Sequence, residues 1–266
     1  MSFLGVLKAQ LSLFTVIPVH ISGEDVNELS RHFWTVPFVG LLYGIVAGSL
    51  LLLIGLLDPL VSAVITLFAI HGLNRFLHFD GLIDLGDGLI ATGPHEKRMA
   101  AMKDTRVGAG GVGFGLLFSI LLIAALAFVV TGAPSAAMVF FLPLAMEVLA
   151  KNSMITAAAV GRPREGMGSP FVSNTPPGHA LLSAILSFVI LLPVLTYLTA
   201  WEPCMALFVA LLVLASSVTG IVVAAQAKKS FGYVNGDVLG ATNELAKPVV
   251  LLIGMVGVLL YLSMFS

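Results

Sequence analysis

The chain has 266 residues, 58% of them hydrophobic and 10% charged, with a formal net charge of −1 and a mean hydropathy of +1.05. Soluble domains carry roughly 25% charged residues, so the solvent that suits this chain is a lipid bilayer rather than water. The near-zero charge gives no field for a nucleic-acid partner, and the single Cys204 excludes an intrachain disulfide framework and a cysteine-rich zinc site.

Taken in chain order, the first element is amphipathic. Leu4, Leu7, Leu11 and Phe14 recur at helical spacing opposite Lys8 and Ser12, which predicts an interfacial or re-entrant helix ended by Pro18. Lys8 breaks the apolar run and no small-residue cleavage pattern follows, so the segment does not read as a cleavable signal peptide. A helix needs about 20 apolar residues to cross the hydrocarbon. Seven stretches qualify or nearly so: 33–57, 59–77, 112–130, 135–159, 180–200, 204–226 and 248–265. The expectation is an all-α integral membrane protein, with residues 1–266 as one polytopic domain. Tight turns around Asp58-Pro59, Gly132–Pro134 and Glu202-Pro203 should make antiparallel hairpins of successive spans. With the N-terminus inside, all 13 basic residues fall in inner segments or at inner helix ends, as the positive-inside rule requires. The longer connections 78–111, 160–179 and 227–247 then face the cytoplasm of a cell-membrane protein, and any chemistry belongs there.

The first connection opens on an acidic stripe. In His78-Phe79-Asp80-Gly81-Leu82-Ile83-Asp84-Leu85-Gly86-Asp87-Gly88, the aspartates stand at i, i+4 and i+7 and share one helical face. Three like charges beside an apolar span repel, and a hard cation relieves them; oxygen-only ligands suit magnesium or manganese rather than zinc. A solvated polar helix end is the plainer alternative. His78 is a candidate general base, though an interfacial histidine explains it as well. Further on, Lys103 and Arg106 flank Asp104 just before the glycine-rich Gly108–Gly115. A helix N-terminus with free N–H groups suits phosphate, while membrane glycines equally serve close packing.

In the fourth span Glu147 and Lys151 stand four apart and can pair. The third connection holds Gly236-Asp237-Val238-Leu239-Gly240-Ala241-Thr242-Asn243-Glu244, with Asp237 and Glu244 at i, i+7 and Lys247 following. A second acidic group on the same side is what a two-metal phosphoryl-transfer site needs.

These motifs resemble those of one family. Residues 78–88 are similar to the His-x-Asp-Gly-Leu-x-Asp-x-x-Asp-Gly hallmark of the cobalamin synthases, the adenosylcobinamide-GDP ribazoletransferases. The likeness continues in Met102-Lys103-Asp104-Thr105-Arg106-Val107-Gly108, in Arg164-Glu165-Gly166-Met167-Gly168 and in Asn235–Ala241, in the family's order. Leu13–Pro18 resembles the family's opening, with Val16 where that pattern has arginine, and Asn74-Arg75 also departs from it. The resemblance implies transfer of α-ribazole, or its 5′-phosphate, to adenosylcobinamide-GDP with loss of GMP, and a requirement for magnesium. It implies metal ligands at Asp80, Asp84 and Asp87, with Asp237 and Glu244 as further ligands or a base. Lys103 and Arg106 would neutralise the diphosphate. A large corrinoid substrate further implies a roomy cavity open to the cytoplasm, and a homo-oligomer stays open.

Two rival readings stand beside it, another membrane phosphotransferase and, from a different class, a transporter. A CDP-alcohol phosphotransferase would carry Ala-Arg where Ile83-Asp84 stands here. An ion-coupled transporter would show inverted repeats with acids near the midplane, and no repeat is evident in this chain.

Overall fold

The computed structural model describes residues 3–199 and 202–265. Its described residues form twelve α-helices and no strand: α1 (Phe3–Phe14), α2 (Gly23–Arg31), α3 (Pro37–Gly55), α4 (Pro59–Leu73), α5 (Leu77–Ile90), α6 (His95–Met102), α7 (Ala109–Gly132), α8 (Ala136–Val160), α9 (Ser169–Ser173), α10 (Pro177–Thr199), α11 (Pro203–Phe231) and α12 (Gly236–Phe265). A 3-10 turn at Phe33–Thr35 leads into α3. Six helices are long and apolar enough to cross a membrane, and α4 with α5 makes a seventh if that bent pair is one span. The chain is a multi-pass membrane protein.

Helix starts follow local chemistry. Asp58 caps α4 by accepting from Val61 N–H at 2.8 Å, and Ser135 caps α8 through Met138 N–H at 3.3 Å. Proline occupies the first turn of α3, α4 and α11, where its missing N–H costs nothing. A helix absent from the sequence reading, α2, carries a capping box between Ser22 and Asp25. Helix α11 closes on Gly232 at φ +87°, the left-handed geometry glycine tolerates best.

Helix α8 is the hub, buried along most of its length. Helix α3 reaches it through Gly40, Gly44 and Gly48, one face at four-residue spacing. A Cβ at Gly40 would fall 2.7 Å from the Glu147 carbonyl oxygen, and one at Gly44 2.7 Å from Leu144 Cα. Lipid provides no hydrophobic drive between helices, so such small-residue contact is what binds them.

Two expectations change. The span expected at 59–77 stops at Leu73, and the chain turns by 96° into α5. Arg75 and Phe76 make that turn at φ 55° and 60°, a region non-glycine residues rarely occupy. Phe76 stacks on His71 at 5.4 Å and meets Phe79 at 6.2 Å, so packing holds the strained turn in place. The second change concerns 227–247, expected as a connection. Apart from residues 232–235 it is helical, because α12 begins twelve residues ahead of the expected span at 248. The final residue of the expected 180–200 span lies outside the described residues.

Candidate active site

Helix α5, turned aside by the bend, crosses the start of α12. Gly81 makes the crossing: a Cβ there would lie 2.6 Å from the Asp237 carbonyl oxygen and 3.1 Å from its Cα. The acidic motifs from two distant segments therefore touch. Asp84 is half-buried and flanked by the like charges of Asp80, Asp237 and Asp87. Asp237 is half-buried too and accepts from Asn235 Nδ2 at 2.8 Å. The same Asn235 presents its Oδ1 to Val238 N–H at 3.0 Å, capping the start of α12. In the sequence Asn235 is only one member of a motif; its capping partner emerges with the fold.

Asp87 has a second task. Its two carboxylate oxygens accept from Gly108 N–H and Gly111 N–H, each at 2.8 Å. The start of α7, expected to suit phosphate, is thus already met by an anion of the same chain. Gly86 and Gly110 pack on each other, since a Cβ at Gly86 would fall 2.7 Å from the Gly110 carbonyl oxygen.

Lys103 is exposed and within electrostatic reach of Asp237, bringing one cation to the rim of the acidic group. Asp104 and Arg106 pair with each other at 3.1 Å, and the guanidinium is 88% exposed. Hydrogen bonds from Arg106 hold the Asp104 carboxyl below its ordinary range, and Asp104 raises the guanidinium in return. The motif at 164–168 also borders the site. Gly168 packs on the backbone of Gly236, Arg164 lies 4.4 Å over the Tyr233 ring, and Val234 N–H donates to the Arg162 carbonyl at 2.8 Å.

Two candidates lie elsewhere. Glu244 sits two turns along α12 from Asp237, buried at 4% exposure and paired with Lys247 at 2.8 Å. It does not join the aspartates, because seven residues carry it two turns further along α12 into the packed interior. His78 is 3% exposed with its ring 5.8 Å from Phe14, on the inner face of α5. It cannot meet a substrate at the rim without rearrangement. Two small cavities, of about 130 Å³ beside Gln10 and about 10 Å³ beside His71 and Glu244, lie away from the aspartates. Close packing of α5 on α12 and α7 leaves the acidic group on a surface rim.

Among the described residues no three carboxylate or imidazole side chains form a ready cage for a metal ion. Magnesium, however, is commonly held by one or two carboxylates, waters and substrate phosphates. The oxygen-only rim of Asp80, Asp84 and Asp237 has the chemistry for that mode.

A profile of the family described as cobalamin-5-phosphate synthase matches residues 6–256. The chain is 34% identical to the adenosylcobinamide-GDP ribazoletransferase of Methanocella arvoryzae, over 98% of each chain. It is 31% identical to that of Methanococcoides burtonii over 94% of this chain and 92% of the relative. Against that of Halorubrum lacusprofundi it is 34% identical over 95% and 97%. No solved structure matches it.

Proposed function

The chain belongs to the cobalamin-5-phosphate synthase family, and from that premise we propose that it joins α-ribazole, or its 5′-phosphate, to adenosylcobinamide-GDP with release of GMP. A hydroxyl oxygen of the ribazole forms a bond to the phosphorus bearing the cobinamide. The bond from that phosphorus to the GMP oxygen breaks, GMP leaves with the electron pair, and the hydroxyl proton passes to a carboxylate or to water. The observation that carries the reading is the contact of the two acidic motifs at Gly81 and Asp237.

In this reading Asp80, Asp84 and Asp237 would hold magnesium or manganese, which would supply charge neutralisation for the diphosphate and the leaving group. Asp87 keeps α7 fixed against α5 through Gly108 and Gly111. Lys103 beside Asp237 attracts the anionic donor. Arg106 adds charge at the rim, and Asp104 orients it. The basic residues gathered on the inner segments support a cell-membrane orientation with the N-terminus and site in the cytoplasm.

The test is an assay of purified protein with adenosylcobinamide-GDP, α-ribazole and magnesium. Equal amounts of GMP and joined corrinoid are expected. Transfer of labelled substrate across vesicles without a covalent product would overturn the reading in favour of transport.

A further inference from the structure

Beneath the aspartates lie four charges that the proposed chemistry does not use. Glu147 and Lys151 on α8 and Glu244 and Lys247 on α12 are all buried. Lys247 Nζ stands 2.8 Å from Glu244 Oε1 and 3.3 Å from Glu147 Oε1, and Lys151 Nζ stands 3.5 Å from Glu147 Oε2. Asn243 closes the ring: its Oδ1 accepts from Lys151 Nζ at 2.7 Å, and its Nδ2 donates to Glu244 Oε1 at 3.0 Å. Lys151 also lies 5.0 Å over the ring of Tyr43 on α3, whose hydroxyl donates to the Phe14 carbonyl. Glu244 faces the imidazoles of His71 on α4 and His78 on α5. The ring on α8 and α12 thus borders α3 and α4 and lies within electrostatic reach of His78 on α5.

A buried ion-pair ring is a poor source of stability, since apolar side chains of the same size pack as well; its best-attested use is to fix register. This fold has a contact that needs fixing. At the crossing Asp80 and Asp84 face Asp237 and repel it, while the glycine contact leaves no slack. Apolar packing of α12 on α8 resists sliding weakly, whereas four alternating charges have one matched register.

We infer that Glu147, Lys151, Glu244 and Lys247 are positioning residues that lock α12 to α8 in the register holding Asp237 against α5. The inference rests on the proposed site, but part of its test does not need the substrate. The variant is the charge-balanced Glu244→Gln/Lys247→Met in lipid nanodiscs, with the isosteric Glu147→Gln, which loosens the α8–α12 pair with Lys247, taking its place if the double variant does not fold. The expected result is at least a tenfold fall in kcat with KM changed less than twofold, and faster amide hydrogen exchange confined to 78–84 and 237–241. The control is Asn152→Ala, which removes the bonds to Ser216 and Ser217 on α11 at 2.8 and 3.0 Å. It should lower thermal stability and leave kcat per folded molecule unchanged. Native kcat in the folded variant, or exchange rising evenly along the chain, overturns the inference. Absence of transferase activity in the unmodified protein would overturn the proposed function and leave the exchange result to decide this one.

Discussion

The Gly81 crossing allows a quantitative test with a single methyl group. In Gly81→Ala the new Cβ would stand 2.6 Å from the Asp237 carbonyl oxygen, where ordinary contact begins at 3.4 Å. Both atoms belong to or adjoin the backbone, so neither swings aside, and α5 and α12 must part by about 0.8 Å. Overpacking of this kind costs about 1–3 kcal/mol, which a bundle of this size should survive. Chemistry is more demanding: a 1 Å misplacement can cost about 100-fold in rate. The expected outcome is therefore a folded protein whose turnover falls about 10- to 100-fold. Gly81→Ser, with the same Cβ, should behave alike, whereas Gly113→Ala, where nothing lies within 4 Å, should not. The assay is GMP release at saturating substrates, beside a thermal unfolding curve in the same detergent. Native turnover in Gly81→Ala would show that the two motifs need not touch, and the account of the site would fail.

Other expectations follow from the same geometry. Asp84→Asn should remove turnover by at least about 100-fold, since even groups behind a metal ligand cost about 10–100-fold when lost; retained turnover with magnesium would remove Asp84 from the site. A chelator should stop the reaction, and magnesium or manganese should restore it; turnover persisting in chelator contradicts the proposed cation. Asp87→Ala frees two N–H groups at the start of α7 and should cost about 0.5–2 kcal/mol, as lost helix caps do, read as a lower unfolding midpoint. Lys247→Met alone strands Glu244 and Glu147 without their shared cation and should destabilise by about 3–5 kcal/mol; an unchanged midpoint would contradict the ring's geometry.

Much of this architecture is legible in the sequence, for identifiable reasons. Apolar stretches of span length and the turn at Asp58-Pro59 are local signals. The stripe of Asp80, Asp84 and Asp87 is legible because helical periodicity alone puts them on one face. The bend at Arg75 and Phe76 is not, since its strain is held by ring contacts with His71 and Phe79, which sequence spacing does not announce. Glu244 misleads for the opposite reason. Its i, i+7 relation to Asp237 is correct, but seven residues carry it two turns inward, where Lys247 takes its charge. Asp87 shares the metal stripe by spacing, while its partners, Gly108 and Gly111, lie more than twenty residues away. The pairing of Glu147 with Lys151 is visible at i, i+4; that Lys247 and Glu244 complete a ring is a property of the α8–α12 contact alone.

The most direct measurement of the central claim is binding of manganese followed by electron paramagnetic resonance, in the unmodified protein, in Asp84→Asn and in Asp237→Asn. If carboxylates from α5 and α12 form one cation site, either substitution weakens binding by at least about tenfold, and the two together add little further. Manganese bound equally well after either change would mean that the two helices do not share an ion.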